Sequence, residues 1–460
     1  MPSLAPVAQA PEPTTSSMAF APAAIRSWRR AIIVHSLSWL VAANLVGLWL
    51  ATLLLVPALG GLLPGLGYGR WATLHLDLHL YGWLSLPLVG ILLSRYRVAD
   101  DGRCAGAAVS AWSAALGIGA VSWLAGVSSG KPFLEWRGGA RVALLAAMMV
   151  LAALLAAAWW RGRKVSRWGG WRVAGFALVP LAILPVVLYL AADPRIYPPI
   201  NPASGGPTGT SLLGSVLSLV IIVLGVPHLA ELPAAHASAG STRGVTTHGR
   251  LRRWIWSLLL VHSAIFLAYG HGDRPHHELG QILSLASVAV WWPATVRYLR
   301  TFTWPAGSRP WLGAVAAWSA ALIVDGVFAF MPGVLERWKF TNALVAHAHV
   351  AMAGLASSLA VLFLVLLGQG VPTVGLFGDR LAFVLWHGGT AAMVVVLTLL
   401  GTLEGLDPGL VPRGGGVVTV LYFARWVAGC AMAAASIRWL RAALDPSPTA
   451  GPSKGEWSDG

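Results

Sequence analysis

The sequence is poor in charge. Only 11% of its 460 residues are Asp, Glu, Lys or Arg, against about a quarter in an ordinary soluble domain, which excludes a soluble globular enzyme. Disorder is excluded as well, because it needs low hydrophobicity and high charge, and here 57% of the residues are hydrophobic with a mean hydropathy of +0.69. Cysteine is nearly absent. Cys104 and Cys430 are the only two, and they give no disulfide framework, no zinc spacing and no CxxCH haem-attachment site. Acidic residues are scarce too, 17 against 32 Lys and Arg. The net charge of +15 does not mark a nucleic-acid binder, because the cations fall in alternate loops between apolar runs. No internal repeat, phosphate loop or nucleic-acid motif is present.

Apolar runs of span length fill the rest. At about 20 residues per span plus short loops, the chain holds about twelve transmembrane helices. The runs predict spans near 32–58, 72–95, 105–128, 139–160, 171–192, 208–231, 251–270, 278–300, 311–331, 342–368, 380–401 and 417–441. The expected fold class is therefore all-α: one polytopic membrane domain over residues 26–445, with Ala-, Pro- and Ser-rich tails at 1–25 and 446–460 expected to be disordered. Arg26, Arg29 and Arg30 precede the first span, and further cation clusters follow the second, fourth, sixth, eighth and twelfth. The bias of Lys and Arg toward cytoplasmic loops then puts both termini in the cytoplasm, in an integral protein of a bacterial inner membrane.

The thirteen histidines carry the functional signal. Ionisable residues inside a membrane are rare and mark function. His75 and His79 fall at the outer end of the second span, in LHLDLHLYGW; His347 and His349 at the outer end of the tenth, in FTNALVAHAHVAMAG; and His271, His276 and His277 at the outer end of the seventh, in YGHGDRPHHELG. Three distant segments bring imidazoles to one depth. Residues two apart on a helix are turned by about 200°, so His347 and His349 serve two cofactors on opposite sides rather than one metal. Adjacent His276 and His277 suit a single ion where the helix ends near Pro275 and Gly280. His75 and His79, one turn apart, share a face, and only one of them is needed as a ligand. Neutral imidazole serves haem iron, copper and non-haem iron alike, so the pattern points to a redox site of two haems beside a third, histidine-bound metal. His35, His262 and His387 lie elsewhere in depth and are expected to be hydrogen-bonded core residues; His228, His236 and His248 are expected to be solvated.

These motifs resemble subunit I of the haem-copper oxidases, closest to the cbb-type oxidases and the nitric oxide reductases. The segments are YGRWATLHLDL, TNALVAHAHVAMAG and VHSAIFLAYGHGDRPHHELG, and the likeness runs over most of the chain after about residue 25. The resemblance implies a subunit I-like bundle in which His75 and His349 ligate a low-spin haem, His347 a high-spin haem, and His276 and His277 a copper or non-haem iron. It implies electrons from a c-type cytochrome or haem-c subunit, further oxidase subunits as partners, the lipid bilayer as solvent, no nucleic acid, and reduction of oxygen or of nitric oxide. The chain departs from the family pattern at its sixth span, where NPASGGPTGTSLLGSVLSLV contains no histidine for a third copper ligand. His271 is the nearest substitute. Tyr269 stands about one residue from the register of the cbb-type tyrosine, and Glu278 is the carboxylate that a nitric oxide reductase reading requires. The third reading is a haem-carrying electron-transfer or assembly subunit without terminal reduction. Asp77, Asp325 and Glu404 are the few acids near membrane depth; Ser357, Ser358 and Thr390 are read as hydroxyls bonded to backbone carbonyls.

Overall fold

In this computed structural model the described residues are 23–98, 102–162, 168–196, 225–231, 249–258, 288–302, 304–305, 307–329, 333–368 and 375–445, with a few single positions between them. Among them there is no strand, and nine helices are long and apolar enough to cross a membrane. These are α1 (Ala23–Leu55), α2 (Tyr68–Arg95), α3 (Gly102–Leu124), α4 (Gly138–Gly162) and α5 (Trp168–Ala191), then α7 (Arg309–Ala329), α9 (Asn342–Leu367), α10 (Arg380–Leu406) and α11 (Gly416–Leu444). Among the shorter helices are α6 (Val288–Leu299) and α8 (Val334–Trp338). Each long helix overlaps an expected span, most to within about four residues; α1 begins nine residues before the expected 32 and α10 runs five past the expected 401. The expected span at 208–231 falls mostly outside the described residues, as do the tails, and those at 251–270 and 278–300 are described in part, the latter as α6.

Burial separates the helices. In α2 and α9, 89% of the most apolar stretch is buried inside the bundle, against 28–39% in the other seven. The two central helices are therefore the two that carry His75, His79, His347 and His349. Helix α1 packs on α2, α3 and α11, and α10 packs along α11 and against the start of α9.

Both central helices widen at their histidines, in α2 around His79 and in α9 directly after His349. Leu78–Leu84 in α2 and Val350–Ala356 in α9 are π-helical, a form found mostly as short segments at functional sites. Pro87, which lacks an N–H, follows the first. A loosened turn leaves backbone groups to be satisfied, and no water is at hand in a bilayer. Side chains supply the bonds. Ser85 and Ser357 each donate to the carbonyl five residues back, Leu80 and Met352, at 2.8 Å. Trp112 of α3 donates to the Tyr81 carbonyl at 2.8 Å and Trp386 of α10 to that of Ala353 at 3.1 Å. Trp83 then joins the two segments by donating to Ser357 Oγ at 2.8 Å.

The start of α9 is fixed by α10. Thr341 caps it, accepting from the Ala343 N–H at 3.2 Å. Glu404 accepts from the Asn342 backbone N–H at 2.7 Å and from its side-chain amide at 3.0 Å, so a carboxylate sits where the helix dipole favours one. Gly401, one turn earlier, permits the approach: a Cβ there would stand 1.8 Å from the Ala343 nitrogen.

Candidate functional site

His75 projects from the first half of α2. Its Nδ1 is bonded to the Ala43 carbonyl of α1 at 2.8 Å, which leaves Nε2 free. Gly47, a turn along α1, makes room, because a Cβ there would lie 2.7 Å from His75 Cε1. His349 of α9 is held in the same manner, its Nδ1 bonded to the Val345 carbonyl at 2.8 Å. His349 lies within electrostatic reach of His75 and His79, and Arg425 of α11 reaches both His75 and His349. Both His75 and His349 are half-buried.

His347 turns to other neighbours. Its Nδ1 stands 2.5 Å from Asp325 Oδ2 of α7, and Gly326 lies beside its Cε1. Three imidazoles thus each commit Nδ1 to a backbone carbonyl or carboxylate and present Nε2. That is how metal-ligating histidines are commonly held, the second bond fixing both tautomer and ring orientation. Three such imidazoles are a donor set that suits haem iron as an axial ligand. Tyr269, His271, His276, His277 and Glu278 lie outside the described residues, so the expected second metal has no described geometry. Among the described residues no group of three or more His, Cys, Asp or Glu is placed to hold a metal ion.

His79 is buried, its ring centroid 6.3 Å from that of His75 and its Nδ1 without a partner. Asp77 is fully buried beside the Glu135 backbone, and neither of its oxygens completes a well-formed hydrogen bond. Of the histidines read as core residues, His35 bonds Ser113 Oγ at 2.7 Å and His387 accepts from the Trp318 indole at 3.0 Å. His228 corrects the expectation of a solvated residue. It is buried, with its ring 6.4 Å from that of Tyr96 and 5.8 Å from that of Trp256; packing between two aromatic rings takes it out of water. His236, His248 and His262 lie outside the described residues. Ser357, Ser358 and Thr390 all donate to backbone carbonyls, as expected, at 2.8, 2.6 and 2.8 Å.

The sequence reading passed over the loop between α3 and α4. It folds inward against α2. Glu135 accepts from the Gly130 N–H at 2.8 Å, from Thr73 at 3.4 Å and from Ser128. Tyr81 donates to the Phe133 carbonyl at 2.9 Å. Lys131 is 0% exposed and donates to the Ala191 carbonyl. Burial lowers its ammonium pKa to about 8, against the pull of Asp193. Asp193 is itself held below the usual carboxylate range by the Arg195 N–H at 2.9 Å and the Arg141 guanidinium at 3.1 Å. The signal for this loop was the charged pair in SSGKPFLEWR between two apolar runs. Arg425 was overlooked as well, although a cation inside LYFARW is itself a sign of function.

No family model matches the chain, and no curated protein matches it.

Proposed function

We propose that the chain is the haem-binding core of a respiratory oxidoreductase, a twelve-helix bundle of the haem-copper oxidase subunit I type that reduces oxygen. The observation that carries this reading is the set of three imidazoles, His75, His347 and His349, each tied through Nδ1 and each with Nε2 free. Haem, when bound, supplies a one-electron iron centre, and an open axial position on the high-spin haem supplies a place for a diatomic substrate. His75 of α2 and His349 of α9 would hold the low-spin haem; His347, on another face of α9, would hold the high-spin haem. Asp325 keeps the His347 ring oriented and raises its basicity through Nδ1. Arg425 provides positive charge within electrostatic reach of His75 and His349, as a haem carboxylate would require. His276 and His277, with His271, are the ligands proposed for copper or non-haem iron, beside Tyr269 and Glu278. The donor is a c-type cytochrome or haem-c subunit, and the membrane is a bacterial inner membrane with both termini on its cytoplasmic side.

The test is a haem count and low-temperature spectroscopy on the purified chain. Two haems, one low-spin and one high-spin, are expected; a preparation folded by circular dichroism but free of haem overturns the proposal. A second reading is favoured by the sixth span, which lacks the family's histidine: a haem-carrying electron-transfer or assembly subunit with no terminal reduction. Elemental analysis separates the readings. Copper supports the oxidase, iron beyond the haem count supports nitric oxide reduction with Glu278, and iron at haem stoichiometry alone supports the second reading.

A further inference from the structure

A groove of about 500 Å³ runs between α6 and α7. A short loop joins the two helices, so they run antiparallel. Arg300 and Ala316 mark the loop end of the groove, Pro293 and Ile323 its far end. Between these ends the walls are apolar or small, and the one hydroxyl, that of Ser319, is spent on the Ala316 carbonyl at 2.8 Å. Helix α7 buries only 28% of its most apolar stretch, and Pro293 and Ala320, one from each wall, are exposed. The groove therefore lies open on the outside of the bundle. Its loop end is positively charged. Arg297 in the last turn of α6 and Arg300 just after it both line the groove and are both exposed, and among the described residues neither has a hydrogen-bond or ion-pair partner. The sequence supplies no acid to pair with them: residues 279–324 contain Arg297, Arg300 and Arg309 and no Asp or Glu.

We propose that this groove binds an anionic phospholipid, with the two guanidiniums on its phosphate and one acyl chain along the apolar walls. Guanidinium matches phosphate through paired hydrogen bonds, and basic pockets between membrane-spanning helices suit acidic headgroups. The order of polarity along the groove is that of the lipid: charge at the end where the helices meet their loop, apolar surface further along. Cations in the last turn of a helix also meet its dipole favourably, but that effect needs no groove beside them. Free phosphate would use the guanidiniums and leave the apolar walls bare. A zwitterionic phospholipid would bring its own cation close to Arg297 and Arg300, and like charges at short range repel. The site is separate from the histidines, and the inference does not depend on haem.

The experiment uses the purified chain in detergent micelles and native mass spectrometry to count bound lipid. Phosphatidylglycerol and phosphatidylcholine with the same acyl chains are titrated in parallel. Phosphatidylglycerol is expected to bind more tightly and to stay bound in excess inorganic phosphate. Arg297→Gln and Arg300→Gln are each expected to weaken it about threefold, and the double variant to bring it to the level of phosphatidylcholine. Arg309→Gln removes an equal charge outside the groove and is expected to change nothing. Ala320→Trp fills the groove from an exposed position and is expected to weaken phosphatidylglycerol with both arginines intact. Circular dichroism confirms that each variant is folded. Equal binding of the two lipids, displacement by inorganic phosphate, or an affinity unchanged in the double variant overturns the proposal. So does a loss in Arg309→Gln equal to that in Arg297→Gln, which would assign the preference to the net charge of this end of the molecule, or an Ala320→Trp variant that binds as the parent does.

Discussion

The Nδ1 of His347 and the Oδ2 of Asp325 stand 2.5 Å apart, joining α9 to α7 within one turn of His349. A carboxylate partner makes an imidazole a more basic and more electron-donating ligand than a carbonyl partner does. The two ligands proposed for the low-spin haem have carbonyl partners, at Ala43 and Val345, so His347, the ligand proposed for the high-spin haem, is set apart electronically. Asp325→Asn is expected to raise the reduction potential of the high-spin haem and leave that of the low-spin haem in place. Redox titration followed optically on the two haems checks this; equal shifts in both, or none, contradict it.

In the proposed assignment His75 and His349 ligate the same haem. Replacing either with Ala is expected to lose the low-spin signal in paramagnetic resonance while keeping the high-spin one. With two distant cysteines and no CxxCH, the proposed haems would be held by ligation alone, and haem staining after denaturing electrophoresis is expected to leave this band blank. A normal low-spin spectrum in either variant contradicts the assignment of ligands.

What the sequence made legible followed local rules. Span length and hydropathy predicted the nine described long helices, because a bilayer imposes both on any crossing segment. The i, i+2 spacing of His347 and His349 predicted two faces, and the structure turns one ring to Asp325 and the other toward His75. The unread part depends on partners far apart in the chain. Nothing in the run GTLEGL says that Glu404 meets Asn342, or that Gly401 is the glycine on which Ala343 rests. Trp112 and Trp386 look like any of the 24 tryptophans, yet they satisfy the two widened helices. Lys131 looked like a loop cation, and only the inward fold of its loop buries it.

Glu404→Ala leaves the Asn342 N–H and amide without their acceptor at the start of α9. The donors are half-buried, so leaving them unpaired costs at most about 1–3 kcal/mol each, and the variant is expected to lose a few degrees of thermal midpoint in detergent. Glu404→Gln keeps an acceptor oxygen and should lose less. Equal losses in the two variants would show that charge rather than bonding holds the helix start.

Gly401→Ala is expected to be worse than either. Its new Cβ would stand 1.8 Å from the Ala343 nitrogen and 2.6 Å from the Ala343 Cα, and backbone cannot swing away as a side-chain tip can. Overpacking of this kind costs about 1–3 kcal/mol or more, and here it displaces the helix that carries both His347 and His349. Haem content and thermal midpoint should fall together. A variant with unchanged midpoint and haem count would contradict the close packing of α10 on α9.

Lys131 gives a dependence on pH whose sign is fixed. Burial lowers its pKa from 10.5 to about 8 in the folded chain, so the folded state disfavours the ammonium relative to the unfolded one. Below pH 8 the side chain is charged in both states and the full penalty applies. Above 10.5 it is neutral in both, and the penalty is gone. Between these limits the unfolded chain binds more protons, and stability from this group rises with pH. The comparison that isolates it is Lys131→Met, which keeps the aliphatic stem and removes the titration. The difference in thermal midpoint between the variant and the parent is expected to be constant below pH 8 and to shift in favour of the parent as the pH rises toward 10.5. Losing the bond to the Ala191 carbonyl adds an offset, whose pH dependence belongs to the same Lys131 titration, so the slope of the difference and not its size is the readout. A difference that is flat from pH 7 to 11, measured in a detergent whose headgroup does not titrate, would place the Lys131 amine in contact with water.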